Sequence, residues 1–388
     1  MTHDRYDDLS LSALQARPGA KWRHFPPDVL PLWVAEMDFP LADAVKDAIT
    51  ASLQADDLCY PVAKGVPDLR EAVAERLTAK HGLKLQAENV EPLATTGTGL
   101  NLATRAFAGP GDEVLLLTPL YPPFKNAVET AGRVPVEVEL RRDDQGYVID
   151  FDALEAAVTP ATRMLMLCSP HNPIGKVFTR AELEGLADFA LRHNLWIVSD
   201  DLHADLLFDG KHVPIASLAP AVAARTVTLY GPTKAFNSPG LKISFAVSNN
   251  PALLKRLTAV GRGLVPGPNV LAQVATVGAY RHGDAWLADT LAYLRGNRDL
   301  LIDYVREHLP QVAVHVPAAT YLGWLDMRGT DLGAKPGAAL AERAKVGLNE
   351  GADFGAGGEG FVRLNFATSR AILQEALERM AATINQRA

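Results

Sequence analysis

Two hydrophobic periods alternate along the middle of the chain. Short apolar runs near 90–95, 113–118, 134–139, 163–168, 195–199, 226–230 and 243–248 read as buried strands. Between several of them, apolar residues spaced by three and four predict helices near 99–108, 122–131, 151–158 and 179–193. This alternation predicts an α/β fold, a mostly parallel sheet with helices on both faces. In such a sheet, functional groups gather where strands end and helices begin.

The flanks differ. Residues 1–40 are Pro-rich and irregular, with one apolar knot at Leu30–Phe39 that is expected to pack down. Helices are predicted over 42–54 and over 66–81, the second with Pro67 and Asp68 in its first turn. Leu264-Val265-Pro266-Gly267-Pro268-Asn269 is a break, followed by a long helical stretch over 270–309 that weakens only near Gly283. Strands near 312–316, 321–327 and 361–366 and a last helix over 369–386 predict a second, smaller α/β domain. The division expected is an N-terminal arm, 1–45, packing with the small domain; a large domain, 46–270; and a linking helix with the small domain, 271–388.

Composition narrows the function classes. The 388 residues are 48% hydrophobic and 21% charged, enough for a large core. A net charge of −7 argues against binding nucleic acid or an anionic membrane through bulk charge. Cys59 and Cys168 form no C-x-x-C pair, so no metal site or disulfide framework is expected. The acidic, polar start and the lack of a long uncharged apolar run predict a cytoplasmic protein.

Five strand ends carry candidate chemistry. Ala94-Thr95-Thr96-Gly97-Thr98-Gly99 opens a helix and makes an anion cradle of free amides and hydroxyls. Prolines hold Tyr121 at the next strand end, where an aromatic ring can stack on a planar ligand. Asn172 lies between prolines in Ser169-Pro170-His171-Asn172-Pro173-Ile174-Gly175. Asp200-Asp201-Leu202-His203 closes a fourth strand and brings an acid near an imidazole. Lys234 follows a fifth, inside Gly231-Pro232-Thr233-Lys234-Ala235-Phe236-Asn237-Ser238-Pro239-Gly240-Leu241-Lys242. Taken singly, each has a plainer reading: a capped turn, a packed tyrosine, a turn asparagine, a helix cap, a surface lysine. Together they suit a phosphorylated, planar, nitrogen-containing aldehyde. The lysine would form a Schiff base with it, the acid would hold its ring nitrogen protonated, and the aromatic would cover its face.

The same runs resemble those of fold-type I pyridoxal-phosphate enzymes, the aspartate aminotransferase superfamily, in order and over nearly the whole chain. The nearer resemblance is to the PatB/MalY-type C–S β-lyases, which are cystathionine β-lyase-like. It is carried by Leu32-Trp33-Val34-Ala35-Glu36-Met37-Asp38-Phe39, Thr118-Pro119-Leu120-Tyr121-Pro122-Pro123-Phe124, the Asn172 turn, Asp200-Asp201-Leu202-His203-Ala204-Asp205-Leu206 and Lys234–Lys242. The resemblance implies a large domain built on a seven-stranded sheet and a pyridoxal 5'-phosphate cofactor. It implies that Lys234 is the Schiff-base lysine and proton shuttle, that Asp200 pairs with the pyridinium nitrogen and that Tyr121 stacks on the ring. Asn172 and His203 then lie at the ring hydroxyl, and Thr96, Gly97, Thr98, Thr233 and Lys242 at the phosphate. Arg363 grips the substrate carboxylate, with Trp33, Val34, Tyr321 and Trp324 as candidates for substrate contact. Tyr60 reaches the phosphate of a neighbouring subunit, so a homodimer with shared active sites is implied.

Four positions depart from the usual aminotransferase pattern. Gly231 stands where a phosphate-binding serine is common, Lys242 where an arginine is, Cys59 for a glycine and Asp201 for a glutamate. The activity this implies is a C–S β-lyase acting on cystathionine or related S-substituted cysteines. The alternatives are an aminotransferase, or a regulatory protein that keeps the cofactor and binds a transcription factor.

Overall fold

The computed structural model describes residues 4–61, 65–143 and 146–386; the first three residues of the polar start lie outside these. Seven strands form the large sheet: β1 Val90–Leu93, β2 Glu113–Thr118, β3 Val134–Glu139, β4 Thr162–Cys168, β5 Trp196–Asp200, β6 Thr226–Tyr230 and β7 Ser244–Val247. Their order is β1-β7-β6-β5-β4-β2-β3. Strands β2 to β6 are parallel, and β7 runs antiparallel to both of its neighbours. These strands are near-continuous apolar runs because helices cover both faces. Helices Thr96–Phe107, Pro123–Thr130 and Pro251–Ala259 pack a core on one face; Phe151–Ala157 and Arg180–Arg192 pack one on the other. The register sets Cys168 beside Asp200 and Asp200 beside Leu229, so the chemistry-bearing ends lie side by side.

A four-stranded antiparallel sheet, β8 Ala313–Val314, β9 Leu322–Asp326, β10 Asn349–Glu350 and β11 Phe361–Asn365, builds the small domain. A third core joins this domain, the arm and the Lys234 segment: Phe39, Phe236, Tyr293 and Phe366 are all buried in it. The arm is tied in further by Leu30–Pro31, which pairs with Val346–Gly347.

Several boundaries depart from expectation. The arm is not irregular throughout: Asp4–Asp7, Leu11–Gln15 and Ala20–Arg23 are short helices. The second helix starts at Leu69 rather than 66, because Asp68 is left-handed at φ 68 and interrupts the helical backbone. The helix after β1 begins at Thr96, three residues early, with Thr95 as its cap. The long stretch divides into Val270–His282 and Asp284–His308. At the joint, a Cβ on Gly283 would lie 2.5 Å from Phe236, so only glycine allows that approach. Pro251–Ala259, β10 and the Arg141–Asp143/Gly146–Val148 pair had no counterpart in the apolar pattern.

Candidate active site

The strand ends open into one cavity of about 430 Å³ between the large sheet, the small domain and the 33–35 segment. Lys234 sits in a turn after β6, closed by Phe236 N–H to Pro232 O and Ser238 N–H to Thr233 O. Its Nζ donates to the Ala35 carbonyl at 2.6 Å. Burial and the nearby Arg363 guanidinium lower its pKa to about 8. Asp200, at the end of β5, accepts the Leu202 amide at 3.0 Å. Burial, with a contribution from Asp201, pushes its carboxyl up to about 7.

The remaining wall is polar where the sequence placed its candidates. His203 lines the cavity; its Nδ1 is buried with no partner among the described residues, and burial holds the ring neutral with a pKa of about 3. Tyr121 shows 38% of its surface, all the exposure a wall residue needs, yet the surrounding protein still desolvates its phenol and raises its pKa. Thr96, Gly97, Thr233 and Lys242 also line the cavity. Thr95 caps the Thr96–Phe107 helix by accepting the Thr98 amide at 3.0 Å, and the Thr96 and Gly97 amides fall in the first turn, where no intrahelical acceptor exists. Thr98 is turned away: its hydroxyl is 3.0 Å from that of Thr95, and the residue is off the cavity wall. Gly231 is tightly packed: an added Cβ would lie 3.2 Å from Ile243 O and Ser244 Cα, so a side chain there would have to displace its neighbours.

Arg363 projects from β11, opposite both Trp324 and Asn349. Its Nη1 donates to Asn172 Oδ1 at 3.0 Å; its Nη2 donates to Trp33 O at 3.0 Å and Asn349 Oδ1 at 2.6 Å. Its Nε is buried without a partner among the described residues, and burial lowers its pKa to about 10. Trp33 and Val34 line the cavity, Trp33 stacked on His24 with ring centroids 4.3 Å apart.

Three further candidates lie elsewhere. Tyr321 is off the wall; its hydroxyl donates to the Ala35 carbonyl at 3.0 Å, the acceptor it shares with Lys234. Trp324 is core: it stacks on Phe361 at 5.0 Å and donates to the Tyr147 hydroxyl. Tyr60 is fully exposed and borders a separate groove with residues 261–263 and 265–268. Residue patterns missed Asn349, on a two-residue strand too short for a periodic signal, and the Ala35 carbonyl, a backbone atom that no side-chain pattern marks.

These donors fit pyridoxal 5'-phosphate. An unpartnered buried imidazole nitrogen, a desolvated amine and carboxyl, a flanking phenol and a helix N-terminus are groups that such a ligand would satisfy. Among the described residues no cluster of side chains could hold a metal ion, and no helix is long and apolar enough to cross a membrane.

The profile of the aminotransferase class I and II family matches residues 27–380. The cystathionine beta-lyase PatB of Bacillus subtilis (strain 168) is 36% identical, covering 92% of this chain and 93% of its own. Among solved structures, OvoB superposes with a TM-score of 0.93 at 38% identity over 100% of both chains. Cystalysin of Treponema denticola, whose structure contains a pyridoxal 5'-phosphate cofactor, superposes with a TM-score of 0.91 at 29% identity over 99% of each chain.

Proposed function

From the chain's membership of the aminotransferase class I and II family, we infer that it is a pyridoxal 5'-phosphate-dependent C–S β-lyase. It cleaves cystathionine or related S-substituted cysteines to a thiol, pyruvate and ammonia. The observation that carries this is the meeting of Lys234, Asp200, His203, Asn172, Tyr121 and Arg363 in one cavity. The lyase name of the PatB relative directs it to carbon–sulfur chemistry.

When bound, the cofactor supplies an aldehyde for the substrate amine and a conjugated ring that takes up electrons from the α-carbon. Arg363 offers two Nη groups to the substrate carboxylate, in exchange for the neutral acceptors they now hold. Asp200, returned to its charged form by a cation beside it, holds the ring nitrogen's proton. Lys234, with a pKa of about 8, is partly free base near neutral pH and takes the α-proton. Tyr121 covers one face of the site. Thiolate leaves the β-carbon, and the released three-carbon fragment hydrolyses to pyruvate and ammonia.

The test is L-cystathionine with purified protein and no keto acid. Pyruvate release is expected and should vanish in Lys234→Ala. Turnover that requires a keto-acid acceptor and yields no pyruvate would replace the lyase with an aminotransferase, the second reading, which shares the family.

The working unit we assign is a cytoplasmic homodimer with shared active sites and no nucleic-acid or membrane partner. Support comes from the fully exposed Tyr60 and from Leu264, 81% exposed, in the segments flanking one groove. Such apolar exposure favours a covering surface.

A further inference from the structure

Behind the cavity wall, the end of β5 carries a buried polar unit that the proposed reaction leaves unused. Asp201 follows Asp200 in the chain, and its side chain is engaged away from the cavity. Its Oδ1 accepts the Ser199 hydroxyl in a short bond, and its Oδ2 lies 2.7 Å from His212 Nε2. All three side chains are buried. His212 reaches this pair from the wall of a second, open groove of about 250 Å³, so the unit runs from the interior to the surface. The His81 ring faces His212 edge-on at 5.4 Å. Behind it, Asp205 is held 3.2 Å from His81 Nε2 and 3.1 Å from Arg76 Nε. Lys80, Lys211 and Asp284 line the same groove.

Two successive buried carboxyls oppose each other's ionisation. A protonated ring nitrogen, however, needs Asp200 charged. We propose that His212 and Ser199 are positioning residues for the cofactor acid: by engaging both oxygens of Asp201 they hold it away from the cavity, so that Asp200 alone faces the ring nitrogen. Asp201 still ranks among the causes that raise Asp200, after burial, which shows that its field reaches the site. The inference rests on the pyridoxal-phosphate reading.

The test compares wild type, His212→Gln and the Asp201→Asn/His212→Gln pair as holoenzymes. The readouts are the pH midpoint of the cofactor's visible band and the dissociation constant of cofactor from apoprotein. Thermal midpoints report the fold separately. Glutamine removes the imidazole that holds Asp201 and leaves a polar side chain in the buried wall. His212→Gln should raise the band midpoint by roughly one pH unit, because a carboxylate no longer held by the imidazole turns its field toward the site and favours the protonated Lys234–cofactor linkage, and should weaken cofactor binding. The neutral pair should return both toward wild type. A midpoint that stays put in His212→Gln, or a double variant as displaced as the single one, overturns the proposal. If wild type shows no Lys234-dependent band, the cofactor reading fails and takes this inference with it; a wild-type band with unmoved variants sinks the inference alone.

Discussion

Asp200 and Lys234 face one cavity with opposite formal charges, and burial moves both toward neutrality. For Asp200 this has a measurable sign. Unfolded, an aspartate loses its proton near pH 4, about its usual value; folded, Asp200 keeps it to about 7. Ionisation therefore opposes folding as pH rises through that window. The penalty is absent in acid and fully present above pH 7. Apoprotein carrying Asp200→Asn is expected to be more stable than wild type at pH 8, on the order of a few kcal/mol, with the curves converging below about pH 4. Equal stability at pH 8 would remove the burial argument. The same substitution should abolish turnover, which makes Asp200 a residue kept for chemistry at a cost in stability.

At the scale of elements, the 33–39 segment is held by side-chain donors to nearly every carbonyl. Arg363 takes Trp33 O, Asn365 takes Val34 O and Glu36 O, Lys234 and Tyr321 share Ala35 O, and Asn237 takes Met37 O and Phe39 O. Beneath it, Lys21 and Asp38 form an ion pair with side chains 0% and 1% exposed, and Trp22 Nε1 also donates to Asp38. Lys21→Met leaves that carboxylate buried and unpaired, which should cost about 3–5 kcal/mol in urea unfolding. Adding Asp38→Asn should recover part of the loss; a single-variant loss well under 1 kcal/mol would mean that water reaches the pair. The apolar knot in the sequence foretold that this segment packs down. The donors that hold it come from residues up to 331 positions away, beyond any local pattern.

At the scale of the molecule, the proposed homodimer with shared active sites makes a prediction in trans. Tyr60→Phe and Lys234→Ala homodimers should each be impaired. Mixing them under conditions that exchange subunits should restore part of the pyruvate-forming activity, since some hybrids then hold one intact site. No recovery in a mixture shown to have exchanged would confine each site to its own chain. One core, which takes in Ala235 and Phe236 beside Lys234 together with the arm and the small domain, explains why these parts meet at one cavity.

The sequence by itself determined the alternation of strands and helices, the apolar runs of the mostly parallel sheet and the chemistry-bearing strand ends. These follow from hydrophobic period and from Gly and Pro breaks, which act within a few residues. Only the tertiary structure decided which candidates share a wall. Tyr321 and Trp324 carry the same aromatic signal as Tyr121, yet one braces a carbonyl and the other fills a core. Thr98 and Thr96 are alike in sequence, yet the Thr95 cap turns one inward and leaves the other at the cavity. The reason is physical: burial, register and desolvation depend on partners far away in the chain, and those same partners move both Asp200 and Lys234 toward neutrality, which leaves Lys234 partly free base.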